Sequence, residues 1–255
     1  MTALHGELIA AFMLLTRLPL ARLGPTQTQN AFAGAVWAYP IVGNVVGAIG
    51  AGVYIACVRL LSPSLAAIVA LGTTVLITGG LHEDALADTA DGFCGGCSRA
   101  GKLEIMRDSR IGTFGVLALM FALAARVAAI TSIAAPSQVV RALIIAGGLG
   151  RGAMIVLVMI LMPARADGLG ARLASVSRVR SVVGLLVTAA ATVSLLPFSQ
   201  ALGTVATAGV VALAISVLAR QQIGGHTGDV LGATEVMVEC AVLAVLAAVA
   251  AKSTA

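Results

Sequence analysis

Long apolar runs recur along this chain from one end to the other, and they constrain its fold more than any other feature. A helix that crosses the hydrocarbon core of a bilayer needs about 20 consecutive apolar residues. Runs near that length lie at roughly 33–58, 64–81, 113–134, 138–162, 182–197, 200–219 and 229–250. Only 11% of the residues are charged, against about 25% in soluble domains, and no polar stretch is long enough for a separate soluble domain. The expected fold class is therefore all-α, a polytopic membrane bundle of about seven transmembrane helices forming one integral membrane domain over 1–255. Residues 4–18 are too short to span and carry Glu7 and Arg17, so they read as an interfacial or re-entrant helix. Small residues recur within the runs, as in Gly43-Asn-Val-Val-Gly47, at spacings that let helices approach closely where packing replaces the hydrophobic effect.

Charge orients the bundle. Alternating the seven spans from the side that holds Arg17 puts eleven cations on that side: Arg17, Arg22, Arg99, Lys102, Arg107, Arg110, Arg165, Arg172, Arg178, Arg180 and Arg220. The other side holds Arg59, Arg141 and Lys252, while Arg126 and Arg151 fall within spans. Short basic loops stay in the cytoplasm, so the first side is expected to be cytoplasmic. Orientation absorbs the basic balance, and no nucleic-acid partner is expected.

The acids are clustered. Six of the eleven lie between positions 83 and 108, on the cytoplasmic side of this topology. In a helix over 82–92, Asp84, Asp88 and Asp91 stand at i, i+4 and i+7, within about 60° of one another, and Glu83 points about 100° away. Like charges so placed repel, and a divalent cation resolves the conflict. Oxygen-only ligands suit Mg²⁺ or Mn²⁺, and magnesium keeps positions open for phosphate oxygens. A solvated helix end is the bland alternative. Lys102, Arg107 and Arg110 lie shortly downstream, and guanidinium forks match phosphate oxygens.

A second polar turn, Gly224-Gly-His-Thr-Gly-Asp229, falls on the same side and opens the last run, which also holds Glu239. Asp229 and Glu239 offer further oxygen ligands; alternatively, Thr227 caps the helix and Asp229 sits in its positive first turn. Arg151, between Gly150 and Gly152, must face a partner or a cavity within the membrane, as an ion pair or a phosphate contact. Arg126 receives no role. Cys94-Gly-Gly-Cys97 has knuckle spacing but lacks the second pair that a zinc site usually needs.

Over almost its whole length the chain resembles the adenosylcobinamide-GDP ribazoletransferase family, also called cobalamin 5′-phosphate synthase. The resemblance is carried by Thr16-Arg-Leu-Pro19, Tyr39-Pro-Ile-Val-Gly43 and Thr78-Gly-Gly-Leu-His-Glu-Asp-Ala-Leu-Ala-Asp-Thr-Ala-Asp-Gly92. Leu103-Glu-Ile-Met-Arg-Asp-Ser-Arg-Ile-Gly-Thr113, Arg151-Gly152 and Gly224-Gly-His-Thr-Gly-Asp229 complete it. It departs from the family pattern at Ala85, His226 and Glu83. Such a resemblance implies a Mg²⁺-dependent enzyme of the bacterial inner membrane. It would join adenosylcobinamide-GDP to α-ribazole or its 5′-phosphate and release GMP at a cytoplasmic site. Asp84, Asp88, Asp91, His82 and Asp108 would then be catalytic, and Asp84, Asp88, Asp91, Asp229 and Glu239 would hold metal. Lys102, Arg107, Arg110, Arg151 and Arg17 would bind substrate phosphate, while Glu83 and Glu235 stand outside the metal site. Membrane lipid is the surrounding partner, and a homo-oligomer or docking of other pathway enzymes stays open. The motif of a CDP-alcohol phosphotransferase shares Asp88-Thr-Ala-Asp91-Gly92 but diverges after Gly92, and a cation transporter would place its acids at mid-membrane.

Overall fold

The computed structural model describes residues 3–20, 30–133, 135–173 and 175–253; Arg22, one of the eleven cations on the expected cytoplasmic side, lies outside them. Every named element among these residues is helical. Six helices are long and apolar enough to cross a membrane. They are α3 (Tyr39–Cys57), which continues the short α2 (Asn30–Gly34), then α7 (Thr113–Ile133), α8 (Pro136–Ile160), α10 (Arg178–Leu195), α11 (Phe198–Ile223) and α12 (Gly228–Ser253). A shorter apolar helix, α1 (Ala3–Leu15), precedes them. Two short helices, α6 (Arg99–Ile105) and α9 (Gly168–Arg172), lie in the connections.

The second expected span, 64–81, is broken. Helix α4 (Pro63–Thr78) has 16 residues, about 24 Å at 1.5 Å per residue, and then the chain turns by 88° into α5 (Leu81–Gly95). Gly79 and Gly80 make the turn at φ 69° and 68°, a left-handed pair that side-chain-bearing residues resist. Gly80 N–H bonds the Val75 carbonyl and Gly79 N–H that of Leu76, a Schellman-type close to α4. The apolar arm is α4 and the polar arm is α5, which carries the acid-rich motif.

Helix α8 is the hub. It is the most buried of the long helices and packs against α3, α10, α11 and α12. Its contact with α3 is backbone against backbone, since a Cβ on Gly43 would overlap the Gly147 carbonyl and one on Gly47 that of Leu143. By contrast α10 and α11 turn Leu186, Leu202, Val210 and Leu213 outward, the surface of a helix facing lipid rather than water. Two connections at the end of the bundle that bears α5 are stitched together. Ala164 N–H bonds the His226 carbonyl at 2.8 Å and His226 N–H bonds that of Met162 at 2.9 Å, so the segment after α8 is fixed to the turn that starts α12.

Candidate functional site at the end of the bundle

Where α5 meets the start of α12, Asp84, Asp229, His82 and Arg165 line a cavity of about 150 Å³ together with Leu81, Leu169 and Gly232. Asp84 is in the first turn of α5 and Asp229 in that of α12. Thr227 Oγ accepts the Val230 N–H at 3.2 Å, so Thr227 is the cap that begins α12 and directs Asp229 into the cavity. One turn beyond Asp84, Asp88 is half-buried and lies within electrostatic reach of Asp84, Asp91, Asp229 and Arg165. Asp84, Asp88 and Asp229 thus lie about the cavity that Arg165 lines.

Asp91 is committed elsewhere. Its two oxygens accept the Gly112 N–H at 2.7 Å and the Gly115 N–H at 2.8 Å, and so satisfy donors that the first turn of α7 leaves open. A Cβ on either glycine would strike this carboxylate. The shared helical face of the three aspartates is real, but the α7 N-terminus takes its far end. Among the described residues, no three His, Cys, Asp or Glu side chains converge closely enough to hold a metal ion as they stand.

Glu239 and Arg151 differ from their expected places. Glu239 is ten residues beyond Asp229, about 15 Å along the helix axis, and cannot share its cavity. It lies between two buried guanidiniums, 3.2 Å from Arg126 and 3.5 Å from Arg151. Arg151 also pairs with Glu235 at 2.6 Å, and Arg126 with Glu83 at 3.0 Å. His82 Nδ1 is 3.8 Å from Glu235, so His82 touches this network on one side and the cavity on the other. Arg151 is thus ion-paired with Glu235 and Glu239. Arg126, without a role in the sequence, is the residue that ties Glu83 on α5 to Glu239 on α12. The signal was available: an arginine at mid-span needs an acid.

The expected phosphate clamp is also paired. Arg107 donates to both oxygens of Asp167 at 2.6 Å, Lys102 donates to Gln222, and Arg110 forks onto Asp108 at 2.5 to 3.0 Å. Hydrogen bonds from Arg110 hold the Asp108 carboxyl down at about 2, which makes it a poor proton acceptor at neutral pH. Arg17 is exposed and lies against Gly79 at the α4–α5 turn. None of these five lines the cavity. Arg165, which does, carries no sequence signal beyond its place among the basic-side charges. Its setting in Pro163-Ala-Arg-Ala-Asp-Gly168 was the available clue, a third polar, glycine-bearing turn on that side.

Fold and site together define a multi-pass membrane protein with an acid-lined cavity at one end of its helical bundle. The chain belongs to the cobalamin-5-phosphate synthase family, whose model matches residues 7–247. It is 45% identical over 249 residues to the adenosylcobinamide-GDP ribazoletransferase of Bradyrhizobium diazoefficiens, covering 95% of this chain and 94% of that one. Relatives of the same name from Mesorhizobium japonicum (41% identical, 94% of this chain and 92% of that one) and Azorhizobium caulinodans (42%, 92% and 92%) are similar throughout. No solved structure matches.

Proposed function

We propose that this protein is an adenosylcobinamide-GDP ribazoletransferase, performing the nucleotide-loop assembly step of cobalamin biosynthesis. It transfers the cobinamide-linked phosphoryl group from adenosylcobinamide-GDP to a hydroxyl of α-ribazole or α-ribazole 5′-phosphate. The diphosphate bond breaks and GMP leaves. The observation that carries this reading is the meeting of Asp84 and Asp229, 145 positions apart, on one cavity in a chain of this family.

The donor chemistry around the cavity fits Mg²⁺ or Mn²⁺. Asp84, Asp88 and Asp229 are oxygen donors, and Arg165 is the one cation near them that offsets their charge among the described residues. These three carboxylates would hold the ion, and Asp91 would fix the end of α5 from its seat on α7. When bound, the ion neutralises charge on the diphosphate. A carboxylate of the cluster takes the proton of the acceptor hydroxyl, while the apolar wall of Leu81 and Leu169 limits water at the reacting phosphorus. The site faces the cytoplasm across the bacterial inner membrane, a placement supported by the eleven-to-three distribution of cations.

A cation-transport reading draws on Glu83, Glu235 and Glu239, which are buried within the bundle. Arg126 and Arg151 pair with all three, and a path for ions calls for unpaired acids. Purified protein in detergent should release GMP from adenosylcobinamide-GDP only with α-ribazole and a divalent cation present. Metal-independent release, or none, rejects the assignment. Single cysteines at positions 99 and 252, in a background without the four native ones, should label from opposite sides of the membrane; labelling of both from outside rejects the orientation.

A further inference from the structure

Arg165 is the arginine that lines the acid-lined cavity, and its guanidinium contacts are long. Its Nη2 is 3.4 Å from Asp229 and its Nε 3.8 Å from Asp167, both long for charge-assisted bonds, which run near 2.7–2.9 Å. Arg107 meets the same Asp167 at 2.6 Å. The Nη1 of Arg165 is buried, and no described residue accepts a hydrogen bond from it. Buried guanidinium donors are mostly satisfied. Arg151 Nε is a second exception among the described residues, but Arg165 belongs to the cavity that also holds Asp84 and Asp229, where an unpaired nitrogen marks a place for an acceptor. The backbone around it is firmly set: Ala164 is bonded through its N–H to His226 and through its carbonyl to Arg99 at 3.0 Å.

We propose that Arg165 is a phosphate-binding residue, its Nη1 donating to an oxygen of the substrate diphosphate in the cavity shared with Asp84 and Asp229. The donor fixes the ligand class. A planar fork with a free edge is matched by an oxyanion, and the neighbouring carboxylates exclude one that arrives without a cation. The cavity is about 150 Å³, below the roughly 300–1,000 Å³ that encloses a whole small molecule. It therefore takes one group of a larger ligand, as a diphosphate linking two bulky halves would require. Asp167, shared by Arg107 and Arg165, holds the guanidinium in place without saturating it. The proposal rests on the transferase reading for the identity of the ligand, though not for the anion site itself.

Equilibrium binding of inorganic pyrophosphate with Mg²⁺ to the purified full chain separates the two. Arg165→Met should weaken binding by at least about tenfold, with Arg165→Lys between it and the wild type because charge is kept and the fork is lost. Arg107→Met, whose partner is Asp167, should bind within about twofold of the wild type. Should the methionine variant not fold, Arg165→Lys decides: weaker binding supports the assignment and wild-type binding overturns it. Equal binding by Arg165→Met and the wild type also overturns it, as does a wild type that binds no pyrophosphate. GMP release is read separately. Its absence with pyrophosphate binding intact sinks the transferase reading and leaves the anion site standing.

Discussion

Two groups of charges lie a few turns apart in this bundle, and they are built on opposite terms. Deep among the helices, Glu83, Glu235 and Glu239 face Arg126 and Arg151, and each carboxylate has a guanidinium within 3.2 Å. At the end of the bundle, Asp84, Asp88 and Asp229 share one guanidinium whose contacts are long. Charges taken out of water need partners or they cost several kcal/mol each, and in the deep group every carboxylate has one, although Arg151 Nε keeps no acceptor among the described residues. The group at the cavity is unsaturated, with acid in excess and a donor to spare. Paired charges at depth locate the helices, and unpaired charges at the end wait for a ligand.

The largest difference should appear between Asp84→Asn and Arg126→Met. Removing one of several mutually repelling carboxylates relieves strain, so Asp84→Asn should keep or raise the melting temperature in metal-free buffer. Its rate of GMP release should fall at least about a hundredfold, as for loss of a main ligand or charge stabiliser. Arg126→Met leaves Glu83 without a partner and Glu239 with only its 3.5 Å contact to Arg151, a change that destabilises by about 3–5 kcal/mol. Its melting temperature should drop sharply and activity should follow the folded fraction. If Asp84→Asn proves the less stable of the two, the contrast between the groups fails.

Metal dependence tests the same boundary along one helix. Asp229 and Glu239 are both on α12, but only Asp229 lines the cavity. Asp229→Ala should raise the Mg²⁺ concentration for half-maximal activity by about tenfold, equivalent to about 1.4 kcal/mol. Glu239→Gln should leave it within about twofold and lower the melting temperature instead, since its loss exposes Arg126 and Arg151 to each other. The reverse pattern would return Glu239 to the metal site and make Asp229 a residue of the helix start.

How much of this the sequence disclosed depended on the range of the interaction involved. Helix positions were readable because lipid demands long apolar runs, and the angle of Glu83 away from the aspartates came from helix geometry alone. Its partner did not, because Arg126 is 43 residues away and only packing joins them. Asp91 was legible as a member of the helical face and not as the cap of α7, since the glycines it bonds lie beyond the intervening α6. The break at Gly79–Gly80 was hidden inside a run long enough to span. Lys102, Arg107 and Arg110 read as a phosphate clamp because local sequence gives charge without pairing. Gln222 and Asp167, the partners of Lys102 and Arg107, come from other parts of the chain, whereas Arg110 pairs with Asp108 two positions away. Arg165 escapes notice for the converse reason: it reads as an ordinary surface cation, and it is partly buried in a segment that pairs with the turn before α12 through Pro163 and His226.

The smallest effect should fall on Asp108 and Arg110, which belong to neither group. Their side chains form a local fork two positions apart, in a loop where both charges remain exposed to solvent. Exposed pairs contribute little because water screens them and two side chains must be ordered to make them. Arg110 holds the Asp108 carboxyl at about 2 against an ordinary 3.8. The folded value is the lower one, so whatever the pair contributes is present above about pH 4 and is lost as pH falls towards 2. At neutral pH, Asp108→Asn and Arg110→Met should each leave the melting temperature close to that of the wild type. GMP release should change by no more than about threefold, because neither side chain lines the cavity. A loss of a hundredfold in either variant would show that this loop closes over the diphosphate during turnover. The acid-rich motif and the Arg-Asp-Ser-Arg stretch would then form one site rather than a site and its flank.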